Sequence, residues 1–200
     1  HFTIHSFPTR RSSDLTTPRP STSRVQPTGG LVERDGETWY RIASYHRLRP
    51  FLMSLPTDTD LWSFVASRGG LTAGRVDPDG SLFPYLTSDR LHDAHHHTGP
   101  LTLVRVETAA GEVRVWEPFA AANDENPGIE RNLDKHVLGN ALVFEEIDHA
   151  LGLAFRYEWA GCDAFGWVRR ATLENRGETP VRPAVLDGLR NLMPWGVPLA

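Results

Sequence analysis

The stretch L-G-L-A-F-R-Y-E-W at residues 151–159 decides the fold, because its large apolar side chains occupy every second position. An antiparallel β-sheet with one buried face requires this period of two. A helix would place Leu151, Phe155 and Trp159 on one face but would scatter Leu153 and Tyr157 around the cylinder. We therefore predict a β-strand whose odd-numbered residues face the core.

Short apolar segments separated by Gly, Pro, Asn and Asp extend this pattern in both directions. They predict strands at residues 38–43, 61–67, 101–107, 112–116, 141–147, 165–175 and 181–186. The D-G pair at residues 35–36 and the N-R-G turn at residues 175–177 suit connections between antiparallel strands. Only residues 127–137 and 187–192 carry helix signals, each enough for a turn or two. The expected fold is all-β, a large antiparallel β-sandwich of the supersandwich type, incomplete in this chain.

The two ends of the chain differ from this strand-rich region. Residues 5–15, H-S-F-P-T-R-R-S-S-D-L, resemble one translated frame of a sequencing-library adapter, so residues 1–15 are interpreted as a non-native leader. Residues 16–30 have the Thr-, Pro- and Ser-rich composition of a flexible linker. The sandwich domain is therefore expected at residues 31–200. Its end in M-P-W-G-V-P-L-A leaves apolar side chains that need a packing partner, which indicates truncation at the C-terminus.

Composition excludes several classes of protein. The formal net charge of −4, with basic and acidic residues interspersed, argues against nucleic-acid binding. No stretch approaches the roughly 20 apolar residues of a membrane-spanning helix, so no membrane partner is predicted. The single cysteine, Cys162, permits neither an internal disulfide nor a cysteine-based zinc cage. A lone cysteine fits a reducing compartment, and we expect a cytoplasmic protein without a cofactor.

Three motifs in the second half of the chain resemble one known family. They are the aromatic alternation of residues 153–159, the V-R-R-A-T-L-E-N-R-G strand and turn at residues 168–177, and the apolar strand at residues 181–186. Together, residues 151–187 resemble the N-terminal sandwich of cellobiose-phosphorylase-like glycoside phosphorylases and related hydrolases. A fainter similarity covers residues 62–85, with G-G-L-T-A-G-R and L-F-P-Y.

This resemblance implies a function for the chain. In the family, the sandwich precedes an (α/α) barrel that carries the catalytic carboxylates, so no catalytic residue is assigned here. The chain would be a non-catalytic sandwich domain of an enzyme that acts on oligosaccharides, and its partner would be the downstream catalytic domain of the same chain. The alternative is a stand-alone carbohydrate-binding or adhesion module.

Aromatic residues supply the candidate sugar contacts. The chain has six Trp and four Tyr, and an aromatic face can stack on the apolar face of a sugar ring. The alternation places most tryptophans in the core and leaves one or two for a sugar platform. The tryptophans considered for this platform are Trp62, Trp116, Trp167 and Trp195. The candidate substrate-binding residues are Trp62, Arg75, Tyr85 and Trp195.

The histidine-rich segment H-D-A-H-H-H at residues 92–97 is the one candidate metal site. On a helix, His92 and His96 would share a face and, with Asp93, offer nitrogen and oxygen ligands. Thr98, Gly99 and Pro100 follow at once, however, and adjacent histidines on a loop are usually solvated. We therefore predict no metal site and retain His92 and His96 as candidates. A metal-dependent enzyme of cupin-like form depends on this segment alone.

The adjacent glutamates Glu145 and Glu146 suggest a pair of catalytic carboxylates. On a strand, neighbouring residues point to opposite faces, so these two carboxylates cannot meet at one substrate atom. One of them is expected to pair with Arg156 across a hairpin. The sequence therefore predicts that the chain lacks a complete active site.

Overall fold

The computed structural model describes residues 25–107, 111–164 and 166–193. In chain order the strands are β1 Thr28–Arg34, β2 Glu37–Ala43, β3 Leu52–Ser54, β4 Leu61–Ala66, β5 Leu71–Arg75, β6 Gly99–Glu107, β7 Val113–Trp116, β8 Ile129–His136, β9 Ala141–Asp148, β10 Leu153–Cys162, β11 Gly166–Asn175 and β12 Arg182–Arg190. The helices are α1 Ser88–Leu91 and three 3-10 turns at Tyr45–Arg47, Pro78–Gly80 and Ala121–Asn123. This content confirms the all-β prediction. Within the described residues, no helix has the length and apolar content needed to cross a membrane.

The strands form two layers around one core. One layer is a six-stranded antiparallel sheet in the order β1-β2-β8-β9-β10-β11. Facing it are two three-stranded antiparallel sheets, β3-β4-β5 and β12-β6-β7. All three sheets contribute to the same buried cluster, which makes the fold an antiparallel β-sandwich. Large members of the cluster are Val65, Leu71, Val104, Trp116, Phe144, Phe155 and Tyr157.

Strand β10 has the burial pattern that its sequence predicts. Leu153, Phe155, Tyr157 and Trp159 are buried in the core, whereas the intervening Arg156 and Glu158 are only partly buried. Burying a side chain of this size stabilises the fold by about 1.5–3 kcal/mol. The alternation of apolar residues in the sequence therefore predicts correctly which face of the strand packs in the core.

Two sequence-based assignments were wrong, and a third boundary differs. Residues 127–137 contain strand β8 rather than helix, because β8 has pairing partners on both sides, β2 and β9. Residues 187–192 belong largely to β12, which pairs with β6 along its whole length. Of the linker predicted at residues 16–30, the last three residues, Thr28, Gly29 and Gly30, belong to β1 and pair with the end of β2. In each case, hydrogen bonding to a neighbouring strand outweighs a local preference.

The expectations for the chain ends lie outside the described residues. The leader at residues 1–15 falls within residues 1–24, and Trp195 falls within residues 194–200.

Candidate functional site

Strand β4 places two aromatic side chains on the outer face of the β3-β4-β5 sheet. Trp62 and Phe64 are two residues apart and therefore share a face, opposite to the buried Val65. Across the strand pair, Trp62 lies opposite Gly74 of β5. A side chain at position 74 would put its Cβ 2.6 Å from Cζ2 of Trp62 and 2.7 Å from the Gly80 carbonyl oxygen. Glycine at this position therefore allows the indole ring to lie close over β5.

A third aromatic side chain, Tyr85, reaches this face from the segment after β5. Its ring centroid lies 5.8 Å from that of Trp62 at an interplanar angle of 82°, and the Trp62 and Phe64 centroids are 6.4 Å apart. Phe64 and Tyr85 are 40% and 52% exposed. We call Trp62, Phe64 and Tyr85 the aromatic patch.

Hydrogen bonds hold the aromatic patch in place. The Thr72 hydroxyl of β5 donates to the Pro84 carbonyl oxygen at 2.9 Å and accepts from the Leu86 backbone N–H at 3.3 Å. These two bonds fix the backbone on both sides of Tyr85. The Trp62 Nε1–H donates to the Asp77 carbonyl oxygen at 3.2 Å. The rings are thus presented by ordered backbone rather than by a free loop.

An exposed ion pair lies at the end of the same strand pair. Arg75 Nη2 is 3.1 Å from Asp60 Oδ2, and 48% and 43% of the two side chains are exposed. The backbone also closes here, because the Val76 N–H donates to the Asp60 carbonyl oxygen. This ion pair is separate from the aromatic patch, because Arg75 pairs with Leu61 on the face opposite to Trp62 and Gly74.

The structure brings together two of the four predicted substrate-binding residues, since the rings of Trp62 and Tyr85 are in contact. Arg75 follows Gly74, the strand partner of Trp62, so its side chain leaves β5 on the face opposite to the aromatic patch. Trp195 lies outside the described residues. Phe64 was missed, although its spacing of two from Trp62 in a predicted strand was a usable signal.

Two further tryptophans considered as sugar platforms differ in burial. Trp116 is buried, and its Nε1–H donates to the Glu146 carboxylate at 2.9 Å, so it cannot present a face to a ligand. Trp167 is partly buried and packs against the core cluster, which leaves only part of its side chain exposed.

The histidine-rich segment does not form the helical face that would hold a metal. Helix α1 ends at Leu91, and turns follow over residues 92–97. His92 is half-buried while His96 is exposed, and the His96 and His97 rings lie 4.1 Å apart. In the part of the chain that is described, no three His, Cys, Asp or Glu side chains are grouped so that they could hold a metal ion.

The two adjacent glutamates lie on opposite faces of the six-stranded sheet, as the strand geometry predicts. Glu145 lies opposite Arg156 in the β9–β10 pairing, and Arg156 Nε is 3.9 Å from Glu145 Oε1. Glu146 faces the core, where Trp116 and Arg131 bind its carboxylate. The expected pairing with Arg156 is confirmed, and the two carboxylates cannot act together on one bond.

Comparison with known proteins adds no relative, since the chain matches no protein-family model and no curated protein. Inference of function therefore depends on the geometry of the aromatic patch and on the motifs of residues 151–187.

Proposed function

We propose that the chain is a carbohydrate-binding, non-catalytic sandwich domain of a glycoside phosphorylase or hydrolase that acts on oligosaccharides. The aromatic patch is the observation that carries this proposal. Trp62 and Tyr85 come from separate segments, yet their rings meet on the surface at 5.8 Å. A group of exposed aromatic rings on the surface of a protein often marks a binding site.

The chemistry of the patch suits a sugar ring. A pyranose has one apolar face of C–H groups and an equatorial rim of hydroxyls, and an aromatic side chain offers a rigid apolar surface at low entropic cost. The hydroxyls need donors and acceptors of hydrogen bonds. The Tyr85 hydroxyl, on a side chain that is 52% exposed, can both donate and accept.

A second surface supports a role beside another domain. The outer face of the β12-β6-β7 sheet carries apolar side chains: Val113 and Val115 are 48% and 68% exposed, and Leu186 is 61% exposed. Leu186 lies opposite the partly buried Leu103 in the β12–β6 pairing. Exposed Arg105 and Glu107 of β6 lie on the same face, opposite Val115 and Val113. A face that mixes apolar and charged side chains in this way suits an interface between domains of one chain. We assign it to packing against the downstream catalytic domain that the family resemblance implies.

Binding of oligosaccharides to the 200-residue chain, measured by isothermal titration calorimetry, tests the sugar contact. The panel is a set of cello-, xylo- and malto-oligosaccharides. We expect Tyr85→Ala to weaken binding about two- to tenfold, because an aromatic contact is worth about 0.5–1.5 kcal/mol. Tyr40→Ala is the matched control, since Tyr40 is 46% exposed on β2 and outside the patch.

Two outcomes contradict the proposal. One is that no oligosaccharide of the panel binds at millimolar concentration. The other is that Tyr40→Ala and Tyr85→Ala weaken binding equally. Trp62→Ala provides a second variant, with its fold checked by circular dichroism because the indole also hydrogen-bonds to the Asp77 carbonyl.

Sequencing the intact gene past codon 200 distinguishes two hypotheses, that the chain is a domain of a larger enzyme and that it is a stand-alone module. A reading frame that continues into several hundred residues with a 3.6-residue apolar period supports a downstream (α/α) barrel. A stop codon near codon 200, together with sugar binding by the chain, favours the stand-alone carbohydrate-binding module.

A further inference from the structure

A cleft that shares no residue with the aromatic patch opens between the two sandwich layers. It has a volume of about 220 Å³, and its lining includes Gly69 after β4, His95 before β6, Phe119 after β7, Tyr157 of β10 and Arg190 of β12. A smaller cavity of about 20 Å³ adjoins it, and residues such as Arg68 and His95 line both. Five chain segments thus converge on one concave site.

Two arginines in the walls of the cleft differ in their bonding partners. The Arg190 guanidinium already has partners, since its Nη1 donates to the His95 carbonyl oxygen at 2.6 Å and its Nη2 lies 3.5 Å from Glu117. Arg68 is exposed, and among the described residues it has no carboxylate within ion-pair distance. A guanidinium offers five donors in a planar fork that matches an oxyanion. Arg68 is therefore the available anion receptor of this site.

Two histidines beside Arg68 carry unused hydrogen-bonding capacity. The Nδ1 atoms of His46 and His95 are buried and have no hydrogen-bond partner among the described residues. Both rings line the smaller cavity. Leaving a buried polar atom without a partner costs about 1–3 kcal/mol. Both Nδ1 atoms are closed off from solvent, so a ligand supplies this partner only if the imidazole ring turns toward the cavity.

We propose that this cleft binds the oxyanion group of a ligand, a carboxylate or a phosphate, with Arg68 and His95 as its principal receptors. The unpaired guanidinium, the unsatisfied imidazole and the enclosing cavity all serve this one chemistry. The assignment is independent of sugar binding at the aromatic patch, because no residue is shared between the two sites.

The charges around His95 set the expected pH dependence. Burial, followed by the positive charges of His96, Arg68 and Arg190, lowers the pKa of His95. An anion in the cleft offsets these charges and raises that pKa, so by linkage binding tightens as the pH falls and His95 becomes protonated. The titratable and charged groups that line the two cavities are Tyr45, His46, Arg68, His95, His96, Glu117, Asp124, Arg131, Tyr157 and Arg190.

Titration of the ¹⁵N-labelled chain with inorganic phosphate and, separately, with acetate at pH 6.5 tests the proposal. Nuclear magnetic resonance reports both the dissociation constant and the pKa of His95. We expect one or both anions to bind and to raise the His95 pKa, and Arg68→Gln to weaken binding at least about tenfold, the size of a lost charged hydrogen bond. Arg105→Gln is the control, because Arg105 is exposed on β6 and does not line the cleft.

The two anions distinguish the source of the oxyanion. Tighter binding of phosphate indicates a phosphorylated ligand or free phosphate, and tighter binding of acetate indicates a carboxylate such as that of an acidic sugar. The proposal is overturned if neither anion binds at millimolar concentration, if the pKa of His95 does not rise with binding, or if Arg68→Gln and Arg105→Gln weaken binding to the same extent.

Discussion

Glu145 and Glu146 are neighbours on β9 and are both almost fully buried, yet their carboxylates lie on opposite faces of the sheet and have different surroundings. Glu146 faces the core, where donors from several segments surround its carboxylate. They are Trp116 Nε1 at 2.9 Å, the Phe119 backbone N at 2.7 Å, Asn123 Nδ2 at 2.9 Å and Arg131 Nε at 2.6 Å. This carboxylate therefore ties β7 and the segment after it to the six-stranded sheet.

Glu145 lies on the outer face among arginines that stay in contact with water. Asn132 Nδ2 donates to its carboxylate at 2.9 Å and Arg176 Nη2 at 3.0 Å, while Arg41 and Arg156 each approach to 3.9 Å. From 25% to 36% of each arginine side chain is exposed. The carboxylate is covered by the arginines themselves rather than by a second layer.

The comparison shows that equal burial does not imply equal dependence on one residue. The inner carboxylate is the common acceptor of donors from different elements, and Arg131 has no access to bulk water as a substitute. The outer carboxylate is one member of a network in which Arg41 also binds Asp134 and Arg156 also binds Glu174. The first site should be sensitive to deletion, and the second should be partly compensated.

Removing the inner carboxylate should have the largest effect. Glu146→Ala leaves the Arg131 guanidinium buried with Asp124 as its one remaining ionic partner among the described residues, and breaking a buried pair in this way costs about 3–5 kcal/mol. Urea unfolding monitored by tryptophan fluorescence measures the loss. Glu158→Ala, on the partly exposed face of β10, is the control and should stay within about 0.5 kcal/mol of the wild type. A loss below about 1 kcal/mol for Glu146→Ala would contradict the comparison.

Neutralising the outer carboxylate should have a smaller effect that depends on salt. Glu145→Gln keeps the side-chain shape and removes the charge that three arginines surround, so we expect a loss of about 1–2 kcal/mol. Because the arginines are hydrated, 1 M NaCl should reduce this difference from the wild type. The same comparison for Glu146→Gln should change little with salt. Equal salt dependence at the two positions would remove the distinction between the faces.

The sequence predicts most of the fold because strand alternation is a local property. The large apolar side chains of residues 151–159 occupy every second position, so the pattern is readable without any knowledge of the partner strands. Strand β8 was misassigned because Asn132 and Asp134 are buried on the outer face and mask the alternation. Asp134 is buried because Arg41, 93 residues earlier, binds it at 2.7 Å. No local signal predicts a contact of that sequence separation.

For the candidate sites, too, the sequence predicts single residues but not the contacts between distant segments. Trp62 and Tyr85 were predictable as individual candidates, because residue type alone suggests a sugar contact. Their contact depends on Thr72, which fixes the chain on both sides of Tyr85. The proposed oxyanion cleft was not predicted, since Arg68, His95 and Arg190 come from separate segments. The histidine-rich segment that contains His95 suggested a metal rather than an anion.

The smallest expected effect is a difference in stability between the wild type and Glu145→Gln at acid pH. Burial raises the pKa of Glu145, whereas the hydrogen bond from Asn132 and the charges of Arg176, Arg41 and Arg156 lower it. The lowering effects together are larger than the effect of burial, so the pKa lies below the ordinary value of 4.5. A carboxyl with a lowered pKa in the folded state contributes stability that is fully present above the pKa of the unfolded chain. That contribution is lost as the pH falls through the folded pKa. We therefore expect the free energy of unfolding of the wild type to decline more steeply below about pH 4.5 than that of Glu145→Gln. Urea titrations at intervals between pH 6 and pH 3 measure both slopes, and parallel curves would show that the arginines of the outer face do not favour the ionised carboxylate.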